Sequence, residues 1–205
     1  MTLLIKGSTI AEHVVSKGVS HKLLLNRHET GDSRLEIKKY IVDSEAEIEL
    51  NLENDSLSWF HALTKGIKID SVTLDQQSLL VFKGNNKTVI QNFGFSVAEI
   101  LLCTVPKVSR FLGEGEAIPF KTHSVDWSVE PVLLSEFDSR KRIYLASPGL
   151  WQGLSCVKGE MIIYPKGGTA PLHHHENAEH FQYIMEGTGT VTFENSEHIV
   201  EKGDI

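Results

Sequence analysis

The sequence predicts an all-β protein, and three observations carry that reading. Residues 35–42, 46–52, 58–64 and 79–82 form short runs rich in β-branched and aromatic side chains. Turn-forming clusters separate them at 28–32, 53–56 and 83–86. The second half repeats the pattern, with strand-like runs at 151–157, 161–164, 190–193 and 198–200 and turns at 158–160 and 194–197. Short strands at regular spacing argue a sandwich or barrel, because each strand has one face to bury and another sheet must cover it.

Taken in order, residues 10–17 suggest a short helix ahead of the first strand, and the remainder of 1–105 reads as β. Residues 106–142 read as a connection, with Gly113, Gly115, Pro119 and Pro131 and mixed charge. A structureless connection of that length is uncommon. Parts of it, Phe111 with Leu112 and then residues 132–134, are therefore expected as strands. A second unit opens near Ile143 and runs to Ile205. The division is thus 1–105, 106–142 and 143–205.

Composition bounds the function. The chain has 205 residues, 40% apolar and 23% charged, which is ordinary for a globular protein with a real core. Its formal net charge is −7, with no basic cluster, so neither nucleic acid nor an anionic membrane is an expected partner. Cys103 and Cys156 lie far apart and read as reduced core residues. The N-terminal apolar run is too short for a signal peptide, and no run is long enough to span a bilayer. The expected location is cytoplasmic.

Ligand-type chemistry concentrates in residues 167–187, GGTAPLHHHENAEHFQYIMEG. In extended chain His173 and His175 leave the same face, and His174 the other. Two such imidazoles make half of a coordination shell for a borderline divalent metal. A turn is expected around Asn177, followed by a strand over 180–185 that brings a third ligand, and then a bend at Gly187 and Gly189. If His180 faces the site, so do Gln182 and Ile184, while Glu179 shares its face with Phe181, Tyr183 and Met185. The competing reading is a solvated loop with a chance histidine run. Other histidines carry less. His61 in an apolar strand reads as a core residue. Nothing converges on His123, Asp126 and Trp127, and His198 is expected to be exposed beyond the hairpin.

The Gly167–five residues–His173–x–His175 spacing, with Gly187 following, resembles the first motif of the cupin superfamily. Counting six residues back from Gly187 reaches His180 where the family usually has Glu, and Glu179 is one residue earlier. The resemblance implies metal ligands His173, His175 and His180, with Glu179 as the alternative third ligand or an outer-shell carboxylate, and Gln182 as an inward contact for substrate or water. The first half resembles a worn cupin. Residues 77–92 keep the spacing of the second motif, with Gln77 and Ser78 in place of Gly-Asp and Thr88 in the histidine position; only Asn92 survives. Trp59 falls in the position of the ligand glutamate. A metal-free N-terminal barrel packed against the second barrel is expected. Gly203-Asp204 resembles the opening of the second motif of the C-terminal barrel. The resemblance therefore implies two double-stranded β-helix (jelly-roll) barrels, the second incomplete in this sequence. Its closing strands and last ligand are expected first in a longer chain, with strands from another subunit or a degenerate half-barrel as the alternatives.

For function the resemblance implies a divalent transition metal, Fe(II) first, with Mn(II), Ni(II) and Zn(II) as alternatives. The approach Ala170-Pro-Leu-His-His-His and the exit Glu186-Gly-Thr-Gly are similar to bicupin ring-cleaving dioxygenases. A dioxygenase acting on a small organic acid or aromatic substrate is the leading expectation. The alternatives are a Zn, Mn or Ni isomerase, lyase or hydrolase, or a non-catalytic sensor or scaffold. A homodimer is implied by the same resemblance.

Overall fold

A seven-stranded antiparallel sheet is the spine of the molecule, and both of its faces are covered. The computed structural model describes residues 2–205 apart from 30–33, 77, 85, 86, 116–122, 137, 147–156, 174, 177 and 194, and apart from the side chain of His123. Its strands in chain order are β1 (Glu12–Ser16), β2 (Val19–Leu25), β3 (Glu36–Val42), β4 (Glu47–Asn51), β5 (Ser56–Ala62), β6 (Ile67–Ile69), β7 (Val72–Leu74) and β8 (Ser78–Lys83). They continue with β9 (Lys87–Asn92), β10 (Ala98–Pro106), β11 (His123–Asp126), β12 (Leu133–Leu134), β13 (Lys141–Ala146), β14 (Gly159–Ile163), β15 (Thr188–Phe193) and β16 (Ser196–Glu201). The large sheet has the order β1-β2-β3-β10-β5-β8-β11, and a four-stranded sheet the order β4-β9-β6-β7. The second half contributes β12-β13-β14 and the hairpin β15-β16.

The two larger sheets enclose a core that follows from strand alternation. Phe60, Ala62, Leu80, Phe82, Ile100 and Leu102 from one meet Ile48, Ile67, Ile69, Leu74 and Ile90 from the other. Phe60 and Phe82 contact edge to face, with centroids 5.5 Å apart. The opposite face of the large sheet is covered as well. Leu57, Leu79, Val81 and Val125 pack with Ile143, Leu145 and Ala146 of β13. Leu24, Ile37, Leu101 and Cys103 pack with Phe181, Tyr183 and Ile205. This double burial explains β5, whose residues are buried almost without interruption.

Several sequence expectations need correction. Residues 10–17 hold no helix: Glu12–Ser16 is an exposed edge strand paired with β2, its β-branched Val14 and Val15 suiting an extended backbone. Gly18, at a φ of 73°, takes the left-handed turn between the two strands. Phe111 ends a 3-10 turn (Val108–Phe111) instead of starting a strand. Glu160 lies inside β14, not in a turn. Trp59 does not occupy a ligand position inside the first sandwich. Phe60 and Ala62 fill that interior, so period two sends Trp59 and His61 to the outer face. Thr88 is fully buried, and its hydroxyl has no hydrogen-bond partner among the described residues. Asn92 is a structural staple: its amide donates to Val42 and Ser96 carbonyls at 2.9 and 2.8 Å and accepts from the Gly94 N–H. Cys103 is a buried free thiol, while Cys156 and most of the run 151–157 lie outside the described residues. So do Gln77, His174, Asn177 and parts of the turns at 28–32, 83–86 and 194–197.

Candidate metal centre

The histidine stretch follows β14 through a turn closed by the Gly168 N–H donating to the Pro165 carbonyl at 2.8 Å. Pro171 then lies two residues ahead of His173, and its carbonyl meets the His173 ring: Nδ1 to oxygen is 2.8 Å. A carbonyl only accepts, so Nδ1 carries the proton and the Nε2 lone pair of the neutral ring points away, available to a metal. The ring centroids of His173 and His175 are 5.2 Å apart, and those of His175 and His180 are 4.7 Å apart. The fold thus gathers three imidazoles from two short segments.

The segment 180–185 that was expected as a strand has no strand assignment. Its anchoring is local: Ile184 N–H donates to the Asp204 carbonyl at 2.9 Å, and Gly203 N–H to the Ile184 carbonyl at 2.8 Å. Phe181 and Tyr183 pack against the large sheet. His180 and Gln182 alternate with them, and both are exposed, as is Glu179. This half-buried pair orients the segment. Tyr183 is pushed up to about 12 by burial and by the charge of Glu99.

Electrostatics single out His180. Partial burial of its ring lowers its pKa, the neighbouring His175 and His173 lower it further, and Glu160 opposes them. A ring held neutral in this way keeps its lone pair for coordination rather than for a proton. Glu160 was missed by sequence reasoning. It sits on β14 with Lys158 at 2.6 Å and Arg142 at 4.0 Å, and nothing in the residue pattern connects it to a histidine twenty positions later. His198 does not join the cluster; its ring stacks on Phe193 at 4.2 Å.

The donor set suits a borderline divalent ion in type and spacing. Imidazoles sharing one ion at metal–nitrogen distances of about 2.0–2.1 Å have centroids roughly 4.5–5.5 Å apart, and both measured separations fall in that range. Among the described residues no group of three His, Cys, Asp or Glu side chains has its donor atoms converged as a metal would hold them.

Comparison with known proteins agrees with this architecture. Residues 160–205 match the Cupin domain family. Uncharacterized protein MJ1618 of Methanocaldococcus jannaschii is 37% identical over 60 residues, a match covering 29% of this chain and 47% of that protein, about half its length. Among solved structures, the formate complex of Lactobacillus farciminis oxalate decarboxylase superposes with a TM-score of 0.71 at 14% identity, covering all of this chain and 78% of that one. Bacillus subtilis oxalate decarboxylase, studied for its Mn(II) centres, gives 0.69 at 13% identity, covering 99% and 70%. The chain thus has an all-β fold similar to that of the oxalate decarboxylases, and its residues 160–205 carry a Cupin domain match.

Proposed function

We propose that the protein is a metal-binding cupin in which His173, His175 and His180 hold one divalent transition metal. The observation that carries this reading is the gathering of the three rings at 5.2 and 4.7 Å, with His173 oriented by the Pro171 carbonyl. Fe(II) is the leading ion, and bound there it supplies O2-dependent oxidation of a small organic or aromatic acid, the chemistry of a dioxygenase. The chain's own residues have separable tasks. The Pro171 carbonyl fixes the tautomer of His173. Glu160 holds negative charge near His180. Gln182, an exposed amide on the side of His180, orients water or substrate by hydrogen bonding. Glu179 serves as an alternative ligand or as an outer carboxylate.

A second reading is a Mn(II)-dependent lyase acting on a small carboxylic acid. The oxalate decarboxylase fold match with its Mn(II) centres favours it. Ni(II) and Zn(II) remain further alternatives for the ion. The division at 1–105, 106–142 and 143–205, a small-molecule substrate, the absence of nucleic-acid and membrane partners, a cytoplasmic location and a homodimer belong to the same proposal. Among the described residues, no helix is long and apolar enough to cross a membrane.

Reconstitution separates the two readings. Fe(II)-loaded protein is assayed for oxygen uptake with a panel of hydroxylated aromatic and short aliphatic acids, beside Mn(II)-loaded protein assayed for CO2 release. Substrate-dependent oxygen uptake with Fe(II), lost in His175→Ala, is the result expected. CO2 release with Mn(II) and no oxygen uptake would replace the dioxygenase reading with the lyase. Neither activity would favour a sensor or scaffold.

A further inference from the structure

A second site stands apart from the histidines. Residues 5–8 run as a strap beside the C-terminal turn: Ile5 and Ile205 exchange backbone hydrogen bonds at 2.8 and 3.0 Å. Beneath this junction lies a cavity of about 180 Å³ walled by Ser8, Lys22, Leu24, Lys39 and Lys202. The backbones of Gly7 and Gly203 complete it, in such close approach that a Cβ on Gly7 would collide with the Gly203 carbonyl oxygen. None of its walls is a histidine or a carboxylate.

The charges facing this space are unbalanced. Lys22 and Lys39 are directly opposite each other in the β2–β3 register, and both are half-buried. Like charges directly opposite on neighbouring strands are destabilising. Lys39 pairs with Glu99 at 2.8 Å. Nearby Lys6 is neutralised by Asp204 at 2.7 Å. Glu12, the register partner of Lys22 on β1, accepts a hydrogen bond from the Ser20 hydroxyl at 2.5 Å. Neither Lys22 nor Lys202 forms an ion pair with a described residue. Two ammonium groups outside any ion pair, Lys22 and Lys202, and the Ser8 hydroxyl therefore border one concave space on the outer face of the large sheet.

We propose that this cavity binds a compact oxyanion, a phosphate or a small dicarboxylate, bridging Lys22 and Lys39 on the sheet to Lys202 on the C-terminal turn. The anion removes the cross-strand repulsion and fills the gap under the strap. Its size suits a compact anion: the cavity is smaller than the roughly 300–1,000 Å³ of drug-sized ligand pockets. This site does not depend on a metal at the histidine cluster.

The test is the melting temperature of the full metal-free chain, titrated with sodium phosphate or sodium succinate at ionic strength held constant with NaCl. Wild type, Lys22→Gln/Lys202→Gln and His173→Ala/His175→Ala are compared. The single Lys202→Gln, on an exposed turn, repeats the test with the least disturbance to the sheet. A saturable rise in wild type and in the histidine variant, with apparent affinity at least tenfold weaker in both lysine variants, is the result expected. A rise with phosphate only or with succinate only supports the site and identifies the anion. No saturable rise with either anion overturns the proposal. So does a rise that survives both lysine changes, or one lost in the histidine variant, which would assign the anion to the histidine stretch.

Discussion

At the scale of the residue, His61 is the most strongly perturbed histidine outside the cluster. Its ring packs edge-on against Trp127 with centroids 4.4 Å apart, and its buried Nε2 has no hydrogen-bond partner among the described residues. Burial lowers its pKa from 6.5 to about 4. The unfolded chain therefore takes up its proton first as pH falls. Its titration costs no stability above pH 6.5, and stability is lost progressively as pH drops from 6.5 through 4. The full loss is about 3 kcal/mol, from roughly 1.36 kcal/mol per pKa unit. In His61→Phe the urea midpoint should change less between those pH values than in wild type; equal slopes would contradict the burial argument. Burial of His61 was legible from its apolar strand, but its missing partner was not, because Trp127 comes from a strand pairing more than sixty residues away. The histidine stretch was more legible. The two-residue spacing of His173 and His175 carries its own geometry, while Glu160 acts only through the folded chain.

At the scale of the element, the strap and the C-terminal turn hold each other. The Asp204 carboxylate, 1% exposed, receives Lys6 Nζ at 2.7 Å, the Gly7 N–H at 3.1 Å and the Glu201 N–H at 3.0 Å. Burial alone would raise its pKa, but the hydrogen bonds from Lys6, Glu201 and Gly7 and the charge of Lys6 win, and the net shift is downward. Asp204 therefore stabilises the fold above the ordinary carboxylate range, and that contribution is lost as pH falls through its lowered pKa. Asp204→Ala should cost about 2 kcal/mol, the scale of hydrogen bonds to a charged group. Faster amide exchange at Ile5 and Ile205 would accompany it, and unchanged exchange at both would show that the strap is held otherwise. The sequence marked Asp204 only as a motif residue, since its partner lies 198 positions away. Length alone did not make strands legible: β10, at nine residues the longest, and the seven-residue β2 were not singled out, because β10 is buried almost without interruption and shows no alternation, and β2 is buried at both ends with a half-buried middle. β3, β4, β5 and β8 were found, the three-residue β6 and β7 are too short to show a period, and β1 has no buried position to reveal one.

At the scale of the whole molecule, the large sheet joins the two halves by burying both faces. Phe60, fully buried against Phe82 and the four-stranded sheet, is the test of one face. Phe60→Ala should destabilise by about 3–5 kcal/mol in urea unfolding, the range for emptying a packed aromatic site. A loss under about 1 kcal/mol would mean that the site is not packed as described. The all-β class was legible because alternation and turn chemistry are local. The covering of the outer face was not, because it depends on Ile143, Phe181 and Tyr183 arriving from the distant second half. The same double burial is why Trp59 could be aligned with a ligand position it does not hold.

The central claim is that His173, His175 and His180 form one metal centre. Metal content by mass spectrometry, on untagged wild type beside His173→Ala/His175→Ala, tests it most directly. Near-stoichiometric iron, or manganese, nickel or zinc, in wild type and only background in the double variant is the result predicted. Equal metal in both proteins, or none in wild type after incubation with each ion, would contradict it.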